Sequence, residues 1–136
     1  MQIKKYCLLN NRSLFIANDL YLANKLNLDG IYIPSFNKDL SIIKKKNKRL
    51  KIMGSAHNFK EIITKKKQKV DLLFISPVFK TKKSNNFLGI YKFNNLSKFF
   101  NQKVIALGGI NEKNVNKIKL INCCGYAAIT YFNKIK

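Results

Sequence analysis

Apolar positions along the chain fall in short, nearly continuous runs rather than in alternation. They are Leu14-Phe15-Ile16-Ala17, Gly30-Ile31-Tyr32-Ile33, Lys51-Ile52-Met53-Gly54, Asp71-Leu72-Leu73-Phe74-Ile75, Val104-Ile105-Ala106-Leu107 and Tyr126-Ala127-Ala128-Ile129. Runs this short and this apolar suit strands buried on both faces, as in a parallel sheet. Between them the apolar positions open out to helical spacing. Leu20, Leu22, Ala23 and Leu26 fit one helix, and Phe59, Ile62 and Ile63 fit another behind the N-cap candidate Asn58. Leu96, Phe99 and Phe100 fit a third, and Val115, Ile118 and Leu120 a fourth. A further helix, suggested by Ile3 to Leu9, precedes the first strand. Strand and helix therefore alternate, which predicts an α/β chain of βα units.

Each strand run is followed by polar or glycine residues: Asn18-Asp19, Pro34-Ser35, Ser55-Ala56-His57, Ser76-Pro77, Gly108-Gly109 and Thr130. Parallel β/α proteins build their sites from such strand ends, so these residues are expected on one face. A closed barrel of this type needs eight units and roughly 200–250 residues, whereas the chain has 136. The expected fold is thus a parallel TIM-barrel-type α/β fold that is incomplete, with about six βα units in one partial domain spanning 1–136. Six open strands would leave two unpaired edges, which need cover.

Composition narrows the picture. Hydrophobic residues make up 46% of the chain, enough for a globular core. The formal charge is +21, yet 25 of the 27 basic residues are Lys, spread over almost the whole length. With 18 Asn and 17 Ile, this is the output of an A/T-rich coding sequence. Base readout and phosphate clamping favour Arg, of which there are only Arg12 and Arg49, so nucleic-acid binding is not the expected function. The charge still favours anionic small molecules. No apolar run approaches the roughly 18 residues of a membrane span. The N-terminal stretch shows no signal-peptide pattern, and a cytoplasmic location is expected. Cys7, Cys123 and Cys124 lack metal-ligand spacing and are expected as reduced, partly buried thiols.

Six motifs in order carry a resemblance over residues 13–132: Leu14 to Asp19, Asp29 to Ser35, Ser55-Ala56-His57-Asn58, Ser76-Pro77-Val78-Phe79-Lys80-Thr81, Ala106 to Asn111, and Gly125 to Thr130. Together with Leu88-Gly89 ahead of a helix, they resemble the thiamine phosphate synthase/TenI family, with the six runs as strands 3 to 8 of its barrel. The resemblance implies a transferase of thiamine biosynthesis, joining a pyrimidine pyrophosphate to a thiazole phosphate with the aid of Mg²⁺. It implies small phosphorylated substrates as partners. Pro77 stands where the TenI branch carries a histidine, which argues against tautomerase chemistry.

By the resemblance, Asp19 and Asn37 would hold the metal and Asn18 would contact pyrophosphate; Asp39, two residues on, is the alternative to Asn37. Asn37 stands where the family has an aspartate, and Pro34-Ser35 replace its Gly-Gln. Ser55 is implied as a catalytic residue at the pyrimidine end, and Thr81 as a phosphate contact. The family's following lysine falls on Lys82 or Lys83, with Lys83 the catalytic candidate. Gly108, Gly109, Ile129 and Thr130 would form the phosphate cradle at the last two strands, helped by a helix beginning near Asn111. The residues alone also allow plainer readings. Asn18-Asp19 suits a helix cap, Gly108-Gly109 a tight turn, and His57, the single histidine, a structural place.

The family's Gln-x-Arg-x-Lys cluster, which grips pyrophosphate on its second strand, has no counterpart here. Three readings follow: a fragment of a longer gene, a homodimer that borrows the missing wall and covers the open edges, or a barrel that keeps its phosphate site without catalysis.

Overall fold

The computed structural model describes residues 2–82 and 85–133, without the side chains of Thr130 and Asn133. Helix α1 (Gln2–Leu9) leads into strand β1 (Phe15–Ala17), then α2 (Leu20–Lys25), β2 (Gly30–Ile33), α3 (Ile42–Lys45) and β3 (Lys51–Ala56). The chain continues through α4 (Phe59–Lys67), β4 (Leu72–Ile75), α5 (Gly89–Ser97) and β5 (Lys103–Leu107). A 3₁₀ helix (Val115–Leu120), β6 (Gly125–Ala127) and α6 (Thr130–Asn133) follow. The strands form one six-stranded sheet in chain order, every pair parallel. This is the α/β barrel-type arrangement the apolar runs predict, in open form: β1 and β6 each have a single strand neighbour.

Side chains alternate across a strand, so each run feeds two faces. The outer face carries Ile31, Ile33, Ile52, Ala56, Leu73, Ile75, Val104 and Ala106, all in one buried cluster. Ile62 of α4 and Phe93 of α5 press into that cluster and are fully buried. The inner face carries Phe15, Tyr32, Met53, Phe74, Ile105 and Leu107, and each is only half-buried. Burial on both faces was the expectation; the six-stranded arc buries one. An arc that does not close brings no opposing strands over its inner face. Tyr32 and Phe74, on alternate strands, meet edge-to-face there, with centroids 6.2 Å apart.

The helices differ from the sequence pattern at three places. Helix α5 starts at Gly89, where the Leu88-Gly89 motif places it, but its buried aromatic is Phe93, while Phe99 stays 46% exposed beyond its end. Val115–Leu120 forms a 3₁₀ helix rather than an α-helix. Helix α3, one turn long, has too few residues to show a period. Two aspartates repeat one device: Asp29 accepts from the Leu14 amide at 2.7 Å, and Asp71 from the Ile52 amide at 2.7 Å. Each tethers the entrance of one strand to the start of its neighbour.

The buried ring of Phe93 joins α5 to the sheet, so Phe93→Ala should lower unfolding free energy by about 3–5 kcal/mol. Urea denaturation followed by circular dichroism measures this; a loss under about 1 kcal/mol would contradict the packing.

Candidate functional site

Parallel strands in chain order place every strand-end loop on one edge of the sheet. At the first of these, Asn18 adopts φ 58 and donates its backbone N–H to the Tyr32 carbonyl at 2.9 Å. Asn tolerates that left-handed conformation, and the chain turns directly into α2. Asp19 caps α2, its Oδ1 accepting from the Leu22 amide at 2.8 Å. The helix-cap reading and the metal-ligand reading of Asp19 are compatible, because only one carboxylate oxygen is committed to the cap.

Asn37 reaches this corner from the β2–α3 loop. Its Nδ2 donates to Asn18 Oδ1 at 2.7 Å, and its Oδ1 accepts from the Asp39 amide at 2.8 Å. Gln68 Nε2 donates to the same Oδ1 at 3.3 Å. Asp39 turns toward Ser41 instead, accepting from its amide at 2.8 Å and its hydroxyl at 2.9 Å. The Ser41 amide, then the Ser41 hydroxyl, hold the Asp39 carboxyl below its ordinary range, with Lys45 adding a smaller pull. A cavity of about 360 Å³ opens here, lined by Asn18, Tyr21, Asn24, Asn37, Asp39 and Lys45 among others.

At the end of β3, Ser55 lies on the inner face opposite Phe74, 5% exposed. His57 closes the strand differently. Its Nδ1 lies 2.8 Å from the Ser76 carbonyl and 3.2 Å from Ser76 Oγ. A carbonyl only accepts, so Nδ1 carries the hydrogen. The His57 amide donates to Glu61 Oε2 at 2.7 Å, and Asn58 Oδ1 accepts from the Glu61 amide at 3.0 Å, a capping box for α4. His57 thus ties β3 to the loop after β4, the structural place that its residues allowed.

That loop is strapped to β5. The amides of Val78 and Phe79 donate to the carbonyls of Leu107 at 2.9 Å and Gly108 at 3.1 Å. A Cβ on Gly108 would press on Pro77, and one on Gly109 would overlap the carbonyl oxygens of Phe79 and Lys80. Both glycines have positive φ, 95 and 72. The neighbouring loop's backbone therefore requires glycine at this spot, whatever ligand the loop meets. The Ser76–Thr81 and Gly108–Asn111 motifs, far apart in sequence, form one floor.

The helix expected near Asn111 is displaced. The Asn111 amide donates to Asn114 Oδ1 at 2.8 Å and the Lys113 amide to Asn111 Oδ1 at 2.9 Å, so asparagine side chains occupy the amides a helix end would have offered. Asn114 Nδ2 also donates to the Gly109 carbonyl at 2.8 Å. The amides of Gly109 and Ile110, in contrast, donate to no group among the described residues. At β6, Ile129 is 78% exposed at the strand end, and α6 begins directly at Thr130. Thr81 is half-buried and Lys82 exposed; Lys83 lies outside the described residues. Cys7 and Cys123 are half-buried, Cys124 is exposed, and all three are free thiols.

Sequence reasoning passed over Lys65, Gln68 and Asn114, which fix the loops bearing Asn37 and Gly109. Only the i, i+3 spacing of Lys65 and Gln68 on one helix could have pointed to the first two. Among the described residues no group of three or more His, Cys, Asp or Glu could hold a metal. Asn37 Oδ1 already accepts from Asp39 and Gln68, and Asn18 Oδ1 from Asn37, which leaves the uncommitted Asp19 oxygen as the hard donor that suits Mg²⁺ held largely through water and substrate phosphate.

Fold and strand-end loops together define an α/β barrel-type protein in open form. Residues 1–132 match the family described as thiamine monophosphate synthase, and the chain belongs to that family. It is 34% identical over 121 residues to the thiamine-phosphate synthase of Methanococcus maripaludis (strain DSM 14266 / S2), covering 87% of this chain and 58% of that protein. It is 36% identical over 125 residues to the thiamine-phosphate synthase of Prochlorococcus marinus subsp. pastoris, covering 88% of this chain and 35% of that one. The chain thus spans about three-fifths of its archaeal relative and about one-third of the cyanobacterial one. Among solved structures, a thiamine phosphate pyrophosphorylase from Pyrococcus furiosus superposes with TM-score 0.77 at 20% identity, over 94% of this chain and 62% of that one. A structure titled native KDPGal superposes at 0.68 and 15% identity, covering 95% of this chain and 62% of that one, which is likeness of fold. No helix among the described residues is long and apolar enough to cross a membrane.

Gly109→Ala and Gly89→Ala separate close approach from backbone strain. Both positions have positive φ, but a Cβ at Gly89 meets nothing within 4 Å. Gly89→Ala should cost about 1 kcal/mol from strain, and Gly109→Ala about 2–3 kcal/mol more because Phe79 and Lys80 must move. Equal urea midpoints for the two variants would contradict the shared floor.

Proposed function

We propose that this chain carries strands 3 to 8 of a thiamine phosphate synthase site, as one partial barrel domain over residues 1–136. It would join a pyrimidine pyrophosphate to a thiazole phosphate, giving thiamine phosphate and pyrophosphate. The observation that carries this reading is the floor made by the Ser76–Thr81 loop on Gly108-Gly109, where the Gly109 and Ile110 amides donate to no group among the described residues. Amides at a strand end of this kind are suited to a phosphate. The pyrimidine carbon–oxygen bond to pyrophosphate breaks, and the thiazole nitrogen captures the resulting cation. The protein's task is to hold both phosphorylated ends in line and keep water from the cation.

In this reading Gly108, Gly109, Ile129 and Thr130 seat the thiazole phosphate. Thr81 and Lys82 or Lys83 reach across from the neighbouring loop. Ser55, on the inner face, stands under the pyrimidine, and Asn18 contacts the pyrophosphate. Asp19 and Asn37 would hold Mg²⁺, which when bound neutralises the departing pyrophosphate. A second copy lying over the open edges would supply the missing wall. A cytoplasmic location accords with soluble precursors.

A second reading is favoured by one observation. The inner face is half-exposed, and the corner at Asn18 and Asn37 is joined by neutral side-chain amides. Hydrogen bonds from neutral groups contribute less to anion binding than charge-assisted ones, which are worth roughly 1.5–3 kcal/mol each. On that reading the chain binds phosphorylated ligands without turnover. Incubation with the two precursors and Mg²⁺ separates the readings. Synthase function predicts thiamine phosphate, reduced about 100-fold or more in Asp19→Ala, with inorganic phosphate binding unchanged. Phosphate binding with no thiamine phosphate at any enzyme concentration would leave the binder reading alone. Retention on RNA or DNA with no response to either phosphate would sink both.

A further inference from the structure

Lys65 stands apart from the other lysines. It is fully buried (0% exposed), and its side chain is among the largest enclosed in the molecule. Its Nζ donates to the carbonyls of Pro34 at 2.6 Å and Asn37 at 2.8 Å, and to Gln68 Oε1 at 3.0 Å. An ammonium has three hydrogens, and all three are used. None of these acceptors is a carboxylate. Gln68, also fully buried, turns its Nε2 to the carbonyls of Asn37 at 3.2 Å and Asp39 at 3.0 Å, and to Asn37 Oδ1 at 3.3 Å. Two side chains one turn apart on α4 thus hold three carbonyls of a loop about thirty residues away in sequence.

Burying an ammonium among neutral acceptors is costly. Burial lowers the pKa of Lys65 from 10.5 to about 8, with Glu61 opposing. The Pro34 carbonyl also accepts from the Asn37 amide at 3.1 Å, whereas the carbonyls of Asn37 and Asp39 take their donors from Lys65 and Gln68. The outcome of the arrangement is the position of Asn37, whose amide reaches Asn18 at 2.7 Å across the first strand-end corner. We propose that Lys65 and Gln68 are positioning residues: they fasten the Pro34–Asp39 loop so that Asn37 stands beside Asn18 and Asp19 at the pyrophosphate end. The inference rests on the function proposed above, and concerns one end of that site only.

Lys65→Met strips donors from buried carbonyls and carries a risk of unfolding the chain. Gln68→Glu is the cleaner variant. It leaves Lys65 a carboxylate acceptor in place of Gln68 Oε1, while removing the Nε2 donor from Asn37 and Asp39. Isothermal titration with Mg²⁺–pyrophosphate, and separately with inorganic phosphate, reads the two ends of the site in the full 136-residue chain. Positioning predicts about tenfold weaker Mg²⁺–pyrophosphate binding by Gln68→Glu, unchanged phosphate binding, and faster amide exchange over residues 35–40 with the β-sheet amides still protected. Undiminished Mg²⁺–pyrophosphate affinity in a variant whose loop exchanges faster would overturn the positioning role alone. A parent chain that binds neither probe would overturn the functional reading, and this inference with it.

Discussion

Parallel pairing in chain order is the constraint on which the rest of this molecule depends. When six strands run the same way, each connection must return over the outer face, and each loop leaving a strand must surface on the same edge. The helices then have one place to lie, and the apolar outer residues one place to be buried. Asn18, Asn37, Ser55, His57, Pro77, Gly109 and Ile129 share an edge for that reason, although they span most of the chain. The same constraint leaves the inner face half-open. Curvature alone does not bury it; closure does.

The edge is organised in two halves by different physics. At the β1–β2 end, side-chain amides dominate: Asn37 to Asn18, and Gln68 to the loop behind them. At the β4–β5 end, backbone meets backbone, and glycine at 108 and 109 is dictated by carbonyls of Phe79 and Lys80 and by Pro77. His57 sits between, fastening the end of β3 to the Ser76 carbonyl that opens the second half. A pyrophosphate end that relies on neutral amides binds a hard cation less strongly than one built on carboxylates. A floor built from backbone does not depend on the identity of such side chains. The positive charge spread over the surface draws anions toward both halves without choosing between them.

Much of this was legible in the sequence. The six strands follow from continuous Ile, Leu and Val runs, and the strand-end motifs follow from what interrupts them. The Asn58 cap of α4 and the structural place of His57 were open to the same reading. Other features were not. Val115–Leu120 has helical spacing but forms a 3₁₀ helix, a difference that six residues of apolar spacing do not reveal. The enclosed residue of α5 was hidden, since it is Phe93 rather than Leu96, although Leu88-Gly89 marked where the helix starts. Half-burial of the inner face is invisible in a run that looks doubly apolar. Lys65 was obscured by composition: one buried ammonium among 25 lysines has no local signature until its acceptors are seen.

The account stands or falls on whether the backbone floor at the second half receives a phosphate. Titrating the ¹⁵N-labelled chain with inorganic phosphate and following amide shifts tests this directly. The account predicts saturating shifts confined to Gly109, Ile110, Ile129 and the Phe79–Thr81 loop. Non-saturating shifts scattered over the exposed lysine-rich surface of α4, with Gly109 and Ile110 unmoved, would contradict it.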